Sequence, residues 1–193
     1  TLKKYYLMKI VFISLLMLCF SSLAMAQGRK IAGIEFPAEI KTKTSPLYFN
    51  GCGLREKYTF DLYVAGLYLP KPTMDAKKVI NSDEAQAIKI VIISSKVTRD
   101  KFNESVKDGF ANAAPYTATS AQIKKFKSFF AAPFKIDDEI LMIYKPGKGT
   151  AVIINGKLKG IVEGLPFKKA LFAIWVGNKP AQGKLKKGMM GQI

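Results

Sequence analysis

Asn50 to Pro70 reads NGCGLREKYTFDLYVAGLYLP, and the fold is read outward from this stretch. Tyr58, Phe60, Leu62, Val64, Gly66 and Tyr68 recur at period two, with Asp61, Tyr63, Ala65 and Leu67 between them. That alternation predicts an extended strand with one apolar and one mixed face. Gly51 and Gly53 flank Cys52 just ahead of it, and glycine permits bends and close backbone approach. Arg55 opens the strand. Arginine is mostly exposed, so composition alone reads it as a surface charge. The other reading makes it a fixed cation at the mouth of an apolar cleft.

Around this strand the pattern changes period several times. Gly33 to Pro37 suggests a short edge strand, because proline cannot donate to a ladder. Lys41 to Ser45 reads as a loop. Asp75 to Asn81 predicts a short helix with Thr73 near its N-cap, and Ile88 to Ser94 a central apolar strand. Phe102, Val106 and Phe110 lie four apart, which puts them on one face of a helix over 96–114, capped by Thr98 or Asp100. Ser120 to Phe130 predicts a second helix. Asp138 to Lys145 and Thr150 to Ile154 read as strands. Asn155-Gly156 is a hairpin signal leading into Lys157 to Val162, since both turn residues tolerate positive φ. Phe167 to Val176 has helical spacing, with Gly177 as a left-handed terminator. The lysine- and glycine-rich tail 178–193 is expected to be extended. Strands, two helices, strands and a helix make an α+β domain, with a mostly antiparallel sheet and the helices on one face.

The missing residue types restrict the chemistry. The 193 residues contain no histidine. This excludes Ser-His-Asp and Cys-His catalysis, histidine-ligated zinc and the commonest general base near neutral pH. The two cysteines are Cys19 and Cys52, too few for a cysteine zinc site. Asp61, Asp137, Asp138 and Glu139 read as solvated acids, so no metal is expected.

Residues 1–26 have the parts of a secretory signal peptide: Lys9, an apolar run from Ile10 to Phe20, and Ala24-Met25-Ala26. The run is short for a membrane span. The expectation is a start at Met8, cleavage near Ala26, and a single domain over 27–193 in the periplasm or outside the cell. The net charge of +17 attracts polyanions and anionic membranes. Export argues against nucleic acid, and the lysines are spread along the chain, so a basic surface with general attraction to anionic lipid is the plainer reading.

Asn50-Gly51-Cys52-Gly53-Leu54-Arg55 followed by Tyr63-Val64-Ala65-Gly66-Leu67-Tyr68-Leu69 resembles the chalcone isomerase-like family, in its bacterial exported branch. The hairpin Asn155-Gly156-Lys157, the ending from Phe167 to Gly177, Pro180 and Leu185-Lys186-Lys187-Gly188 are similar to it as well. The resemblance covers Ile31 to Gly191. It implies an open-faced β-sandwich with a ligand cleft between sheet and helices, and no cofactor. Plant members close a chalcone into a flavanone by holding the reactive conformer and stabilising enolate charge. Relatives of the same fold bind fatty acids, with the arginine meeting the carboxylate.

Carried over position by position, the family arginine falls on Arg55 and its threonine on Tyr63, which keeps a hydroxyl. Its helix tyrosine falls on Phe102, without one, and its asparagine on Gly109, without a side chain. The resemblance therefore implies a non-catalytic binder of a fatty acid or similar amphiphilic anion. Arg55 and Tyr63 would sit at the head, and Phe102, Val106 and Phe110 along the tail. Two alternatives stay open: an isomerase of the chalcone type using Arg55 and Tyr63, and an envelope accessory protein that docks on membrane or a protein partner.

Overall fold

The computed structural model describes residues 28–42 and 45–193. The signal peptide expected over 1–26 lies outside them.

The organising stretch folds as a hairpin. β4 (Leu47–Lys57) runs antiparallel to β5 (Phe60–Leu69), with Lys57 opposite Phe60 and a two-residue turn at Tyr58-Thr59. Arg55 therefore lies near the end of β4 and faces Tyr63 of β5 directly, where the sequence reading made it the opening of a single strand. Polar Arg55, Glu56 and Lys57 hid the strand character of β4, because β-branched and aromatic runs were the signal sought.

The remaining strands complete one antiparallel sheet. They are β3 (Glu39–Ile40), β6 (Gln86–Ile92), β7 (Glu139–Lys145), β8 (Gly149–Ile154) and β9 (Lys157–Val162), in the order β3-β4-β5-β6-β7-β8-β9. A separate hairpin, β1 (Arg29–Ile31) with β2 (Ile34–Phe36), contains the predicted edge strand. The β8–β9 turn is Asn155-Gly156, both at positive φ (49° and 74°), as an Asn-Gly hairpin requires. Antiparallel register puts the β4–β5 and β8–β9 turns at the same end of the sheet, with the loop entering β7 between them. We call this the hairpin end.

Both sheet faces are buried. Ala65, Leu67, Ile88, Ile90, Ile140, Met142 and Val152 face the helices. Cys52, Val64, Tyr68, Ala87, Val91 and Ile143 form a second core with Phe36 and Leu47. The residues first read as the mixed face of β5 thus include its helix side. Gly66 is the seat of Phe36 on the other side: a Cβ there would come within 2.5 Å of the Phe36 ring.

Five helices are described: α1 (Ala76–Asn81), α2 (Arg99–Ala111), α3 (Ser120–Ser128), α4 (Leu165–Val176) and α5 (Gly183–Met189). Asp75, not Thr73, caps α1 by accepting from the Lys78 N–H. Thr98 caps α2, and Thr119 with Gln122 makes a capping box on α3. α4 is the central helix, buried on nearly every side. It ends at Gly177 with φ −74° and ψ −168°, so the expected left-handed terminator is absent there. A Cβ at Gly177 would instead lie 2.4 Å from the Ala173 carbonyl oxygen.

α5 corrects the expected extended tail. Lys184 and Lys187 are exposed and Lys186 donates to the Gly177 carbonyl at 2.8 Å, while Leu185 and Met189, one helical turn apart, are fully buried. Burial of each is worth about 1.5–3 kcal/mol. The glycines of the opening motif explain how α5 fits. A Cβ on Gly51 would lie 2.2 Å from the Gly188 carbonyl oxygen, one on Gly53 2.7 Å from that of Leu185, and one on Gly188 2.4 Å from that of Cys52. Backbone meets backbone along this seam, which no side chain could enter. Asn50 fixes its end by donating to the Met189 carbonyl at 2.9 Å and accepting from the Thr73 N–H at 2.7 Å.

Candidate functional site

The hairpin end of the helix-facing surface carries the sequence-predicted cation. Arg55 and Tyr63 are cross-strand neighbours, and the guanidinium's charge acts on the Tyr63 hydroxyl. The Arg55 Nη1 also donates to the Glu56 carbonyl oxygen. The Tyr63 hydroxyl accepts from the Trp175 indole N–H at 3.1 Å. Burial raises the Tyr63 pKa, while Trp175 and Arg55 pull it back. The phenol therefore stays protonated at neutral pH. With the Trp175 N–H on one lone pair, its own proton remains to be given.

The surrounding charges leave Arg55 open. Glu56 is held from the other side: its carboxylate pairs with Lys184 at 3.2 Å and accepts from Gln182 at 3.3 Å. Among the described residues no carboxylate lies within ion-pair distance of the Arg55 guanidinium. The result is a half-buried cluster made almost wholly of hydrogen-bond donors. It suits an anionic oxygen and offers no base to take a proton.

Phe102, Val106 and Phe110 lie where their spacing predicted, on the inward face of α2. All three are buried in the helix-side core, which also takes in Tyr63 and Trp175. Phe102 packs against Phe130 and Phe134, with ring centroids 4.7 and 4.9 Å apart, and Phe110 against Phe126 and Phe167. Gly109 has no room for a side chain, because a Cβ there would meet the Ile174 side chain at 2.8 Å. Phe102 thus offers no hydroxyl here, and Gly109 no side chain.

Two hollows adjoin this core without being lined by any of the five predicted residues. The larger, about 550 Å³, is a groove at the hairpin end with Phe129, Phe130, Phe134 and Ile154 inside and lysines on its rim. The smaller, about 160 Å³, lies beside Tyr116, Leu165 and Lys169. Cys52 is buried, which pushes its thiol pKa up to about 11 and keeps it unreactive.

Trp175 and Lys168 escaped the sequence reading as polar groups. Trp175 was counted as an apolar helix position, and its indole N–H was the available signal, since a buried tryptophan usually finds an acceptor. Lys168 is fully buried at the opposite end of α4. Its ammonium donates to the carbonyl oxygens of Val79, Ile80 and Ser82 at 2.7, 3.1 and 2.9 Å, closing the C-terminus of α1.

Similarity to known proteins agrees with this architecture. The family model for chalcone isomerase-like proteins matches residues 28–191. A crystal structure of a fatty-acid binding protein of Arabidopsis thaliana superposes with a TM-score of 0.67 at 18% identity, covering 84% of this chain and 95% of that one. No curated protein matches.

Proposed function

Because the chain belongs to the chalcone isomerase-like family, we propose that it is a non-catalytic member that binds a fatty acid or a similar amphiphilic anion. Arg55 and Tyr63 hold the acidic head, and the aromatic layer of Phe102, Val106 and Phe110 takes the tail. The observation that carries this reading is the donor-only cluster of Arg55, Tyr63 and Trp175 on the helix-facing side of the sheet. A carboxylate supplies the acceptors that this cluster lacks, and a guanidinium can meet it with two parallel bonds. The rings on α2 are packed against their neighbours, so the tail enters by parting Phe102 from Phe130 and Phe134. The fatty-acid binding protein of the same fold supports this ligand class by analogy.

Isomerase chemistry has less support. Enolate stabilisation could use Arg55, but the hydroxyl of Phe102 and the amide of Gly109 that would complete the network are missing. Export after loss of residues 1–26 remains part of the proposal, and the mass of the mature protein tests it.

Calorimetric titration with a long-chain fatty acid decides the binding reading. Saturable binding that Arg55→Ala weakens by about 1.5–3 kcal/mol is the expected result. A protein that takes up no fatty acid, or takes it up equally well without Arg55, defeats it. Loss of chalcone absorbance above the buffer rate, sensitive to Arg55→Ala, would restore the isomerase.

A further inference from the structure

The hairpin end carries an unusual surface. Four large apolar side chains stand out from it: Tyr58 (90% exposed), Leu158 (61%), Ile136 (53%) and Phe60 (46%). They come from three separate segments that the fold brings into one row. Asp137 N–H donates to the Ile92 carbonyl at 2.8 Å, and Ile93 N–H to that of Leu62 at 3.1 Å. Asn155 bonds Asp138 at 2.8 Å. The β4–β5 turn, the end of β6, the loop before β7 and the β8–β9 turn are thereby laced side by side.

Lysines alternate with these apolar groups. Lys57 lies 5.9 Å from the Tyr58 ring centroid and Lys96 5.4 Å from that of Phe60. Lys135, Lys157 and Lys159 border the groove of about 550 Å³. None of these five lysines has a carboxylate within ion-pair distance. The acids of the same end are mostly engaged: Glu56 by Lys184, Asp100 by Arg99, Glu139 by Lys89 and Asp138 by Asn155. Among the described residues of this end, Asp61, Asp137 and Asp138, which lines the groove, oppose the lysines without an ion pair of their own, as does Glu104 one turn past Asp100 on α2.

We propose that the hairpin end is a docking surface for an anionic lipid bilayer, with Tyr58, Phe60, Ile136 and Leu158 entering the headgroup layer and the surrounding lysines meeting acidic headgroups. Exposed aromatic and aliphatic tips ringed by long cationic side chains match both parts of a membrane interface, apolar depth and negative surface. An acidic protein would satisfy the lysines and leave the four apolar tips in water. No helix among the described residues is long and apolar enough to span a bilayer, so the contact is peripheral. The inference rests on exposed groups and holds whether or not Arg55 binds a fatty acid.

The test compares the two ends of the sheet in the full chain. Tryptophan is introduced as Leu158→Trp at the hairpin end and as Met74→Trp, exposed at the other end. Emission is read against the parent with vesicles of phosphatidylcholine alone or mixed equally with phosphatidylglycerol, with and without brominated acyl chains. The expected result is a blue shift and bromine quenching for Leu158→Trp on the anionic vesicles only. Met74→Trp should stay unquenched. Replacing Lys157 and Lys159 by glutamine should weaken partitioning about fivefold for each lysine. Equal quenching at both positions, which contact through residues 1–27 would give, overturns the proposal. So does absence of binding to anionic vesicles. A blue shift of Leu158→Trp that grows with protein concentration in the absence of vesicles names a second copy as the occupant and also overturns it. Should Leu158→Trp misfold by circular dichroism, Ile136→Trp gives the same readout from the neighbouring loop.

Discussion

The two ends of the helix-facing surface each hold a cation beside a tyrosine, yet their chemistry is opposite. At the hairpin end, Arg55 gives one bond to the Glu56 carbonyl beside Tyr63, and the rest of its guanidinium is unspent. At the far end, Lys168 places all three ammonium hydrogens on carbonyls of α1 and lies against the Phe172 ring at 5.0 Å. Its neighbour Tyr144 donates to Asp83 at 2.6 Å, and burial and Asp83 push that phenol up to about 12. Nearby Gln86 and Thr150 keep buried oxygens with no protein partner. The far end spends its cation wholly on carbonyls, while the hairpin end leaves guanidinium hydrogens unspent, although Asn103 on α2 also keeps a buried oxygen with no protein partner. Whether a buried cation is a ligand site or a structural clamp is decided by the supply of carbonyl oxygens around it.

The sharpest way to break this contrast is to remove each cation and measure unfolding. Lys168→Ala leaves three helix-end carbonyls without their donor, and a loss of about 2–3 kcal/mol in denaturant unfolding is expected. Arg55→Ala in the same measurement should cost less than about 1.5 kcal/mol. Similar losses for both would erase the distinction.

A pH series sharpens it further. Burial, helped by the adjacent Lys169, lowers the Lys168 pKa from 10.5 to about 7, against the opposing pull of Asp83 and Glu84. Between those values the unfolded chain holds a proton that the folded chain has released. Wild-type stability should therefore climb relative to Lys168→Met as pH rises from about 7 toward 10.5. Denaturation midpoints of the two proteins at the ends of that window check it, and parallel curves would show that the carbonyls hold the lysine charged throughout.

On the ligand side the expected effects are smaller. Arg55→Ala should weaken fatty-acid binding by about 1.5–3 kcal/mol, the worth of a hydrogen bond to a charged group. Lys168→Met, if still folded, should leave affinity unchanged. Tyr63→Phe should cost about 1 kcal/mol in affinity, and a similar amount in stability because the Trp175 N–H loses its acceptor. Titration calorimetry and unfolding on the same sample separate the two contributions.

Periodicity made most of the elements readable. Phe102, Val106 and Phe110 at spacing four, Asn155-Gly156 as a turn, and the alternation from Phe60 to Tyr68 each carry their structure locally. The resemblance on Gly51 to Arg55 and Phe167 to Gly177 supplied the family. What stayed illegible depended on distant partners. β4 looked too polar at its end to be a strand until β5 paired with it. α5 looked like an extended tail because lysine and glycine dominate it, and its buried Leu185, Gly188 and Met189 find their partners only at Cys52 and Gly53 far up the chain. Lys168 went unread among the apolar helix positions, since nothing in its neighbourhood of sequence shows that α1 ends beside it. Arg55 was legible as a cation and Tyr63 as a hydroxyl. That they face one another follows from a hairpin turn at Tyr58, where a non-glycine residue at φ 55° gives little warning.

The glycine seam has a consequence in time. Asn50 and Met189, bonded across it, stand 139 positions apart. Closing so long a loop is entropically unfavourable and waits on other contacts. A nascent chain that has emerged only as far as β9 can pair its strands yet leaves Gly51 and Gly53 as a bare stripe of peptide open to water or to chaperones. That stripe is covered only when α5 arrives.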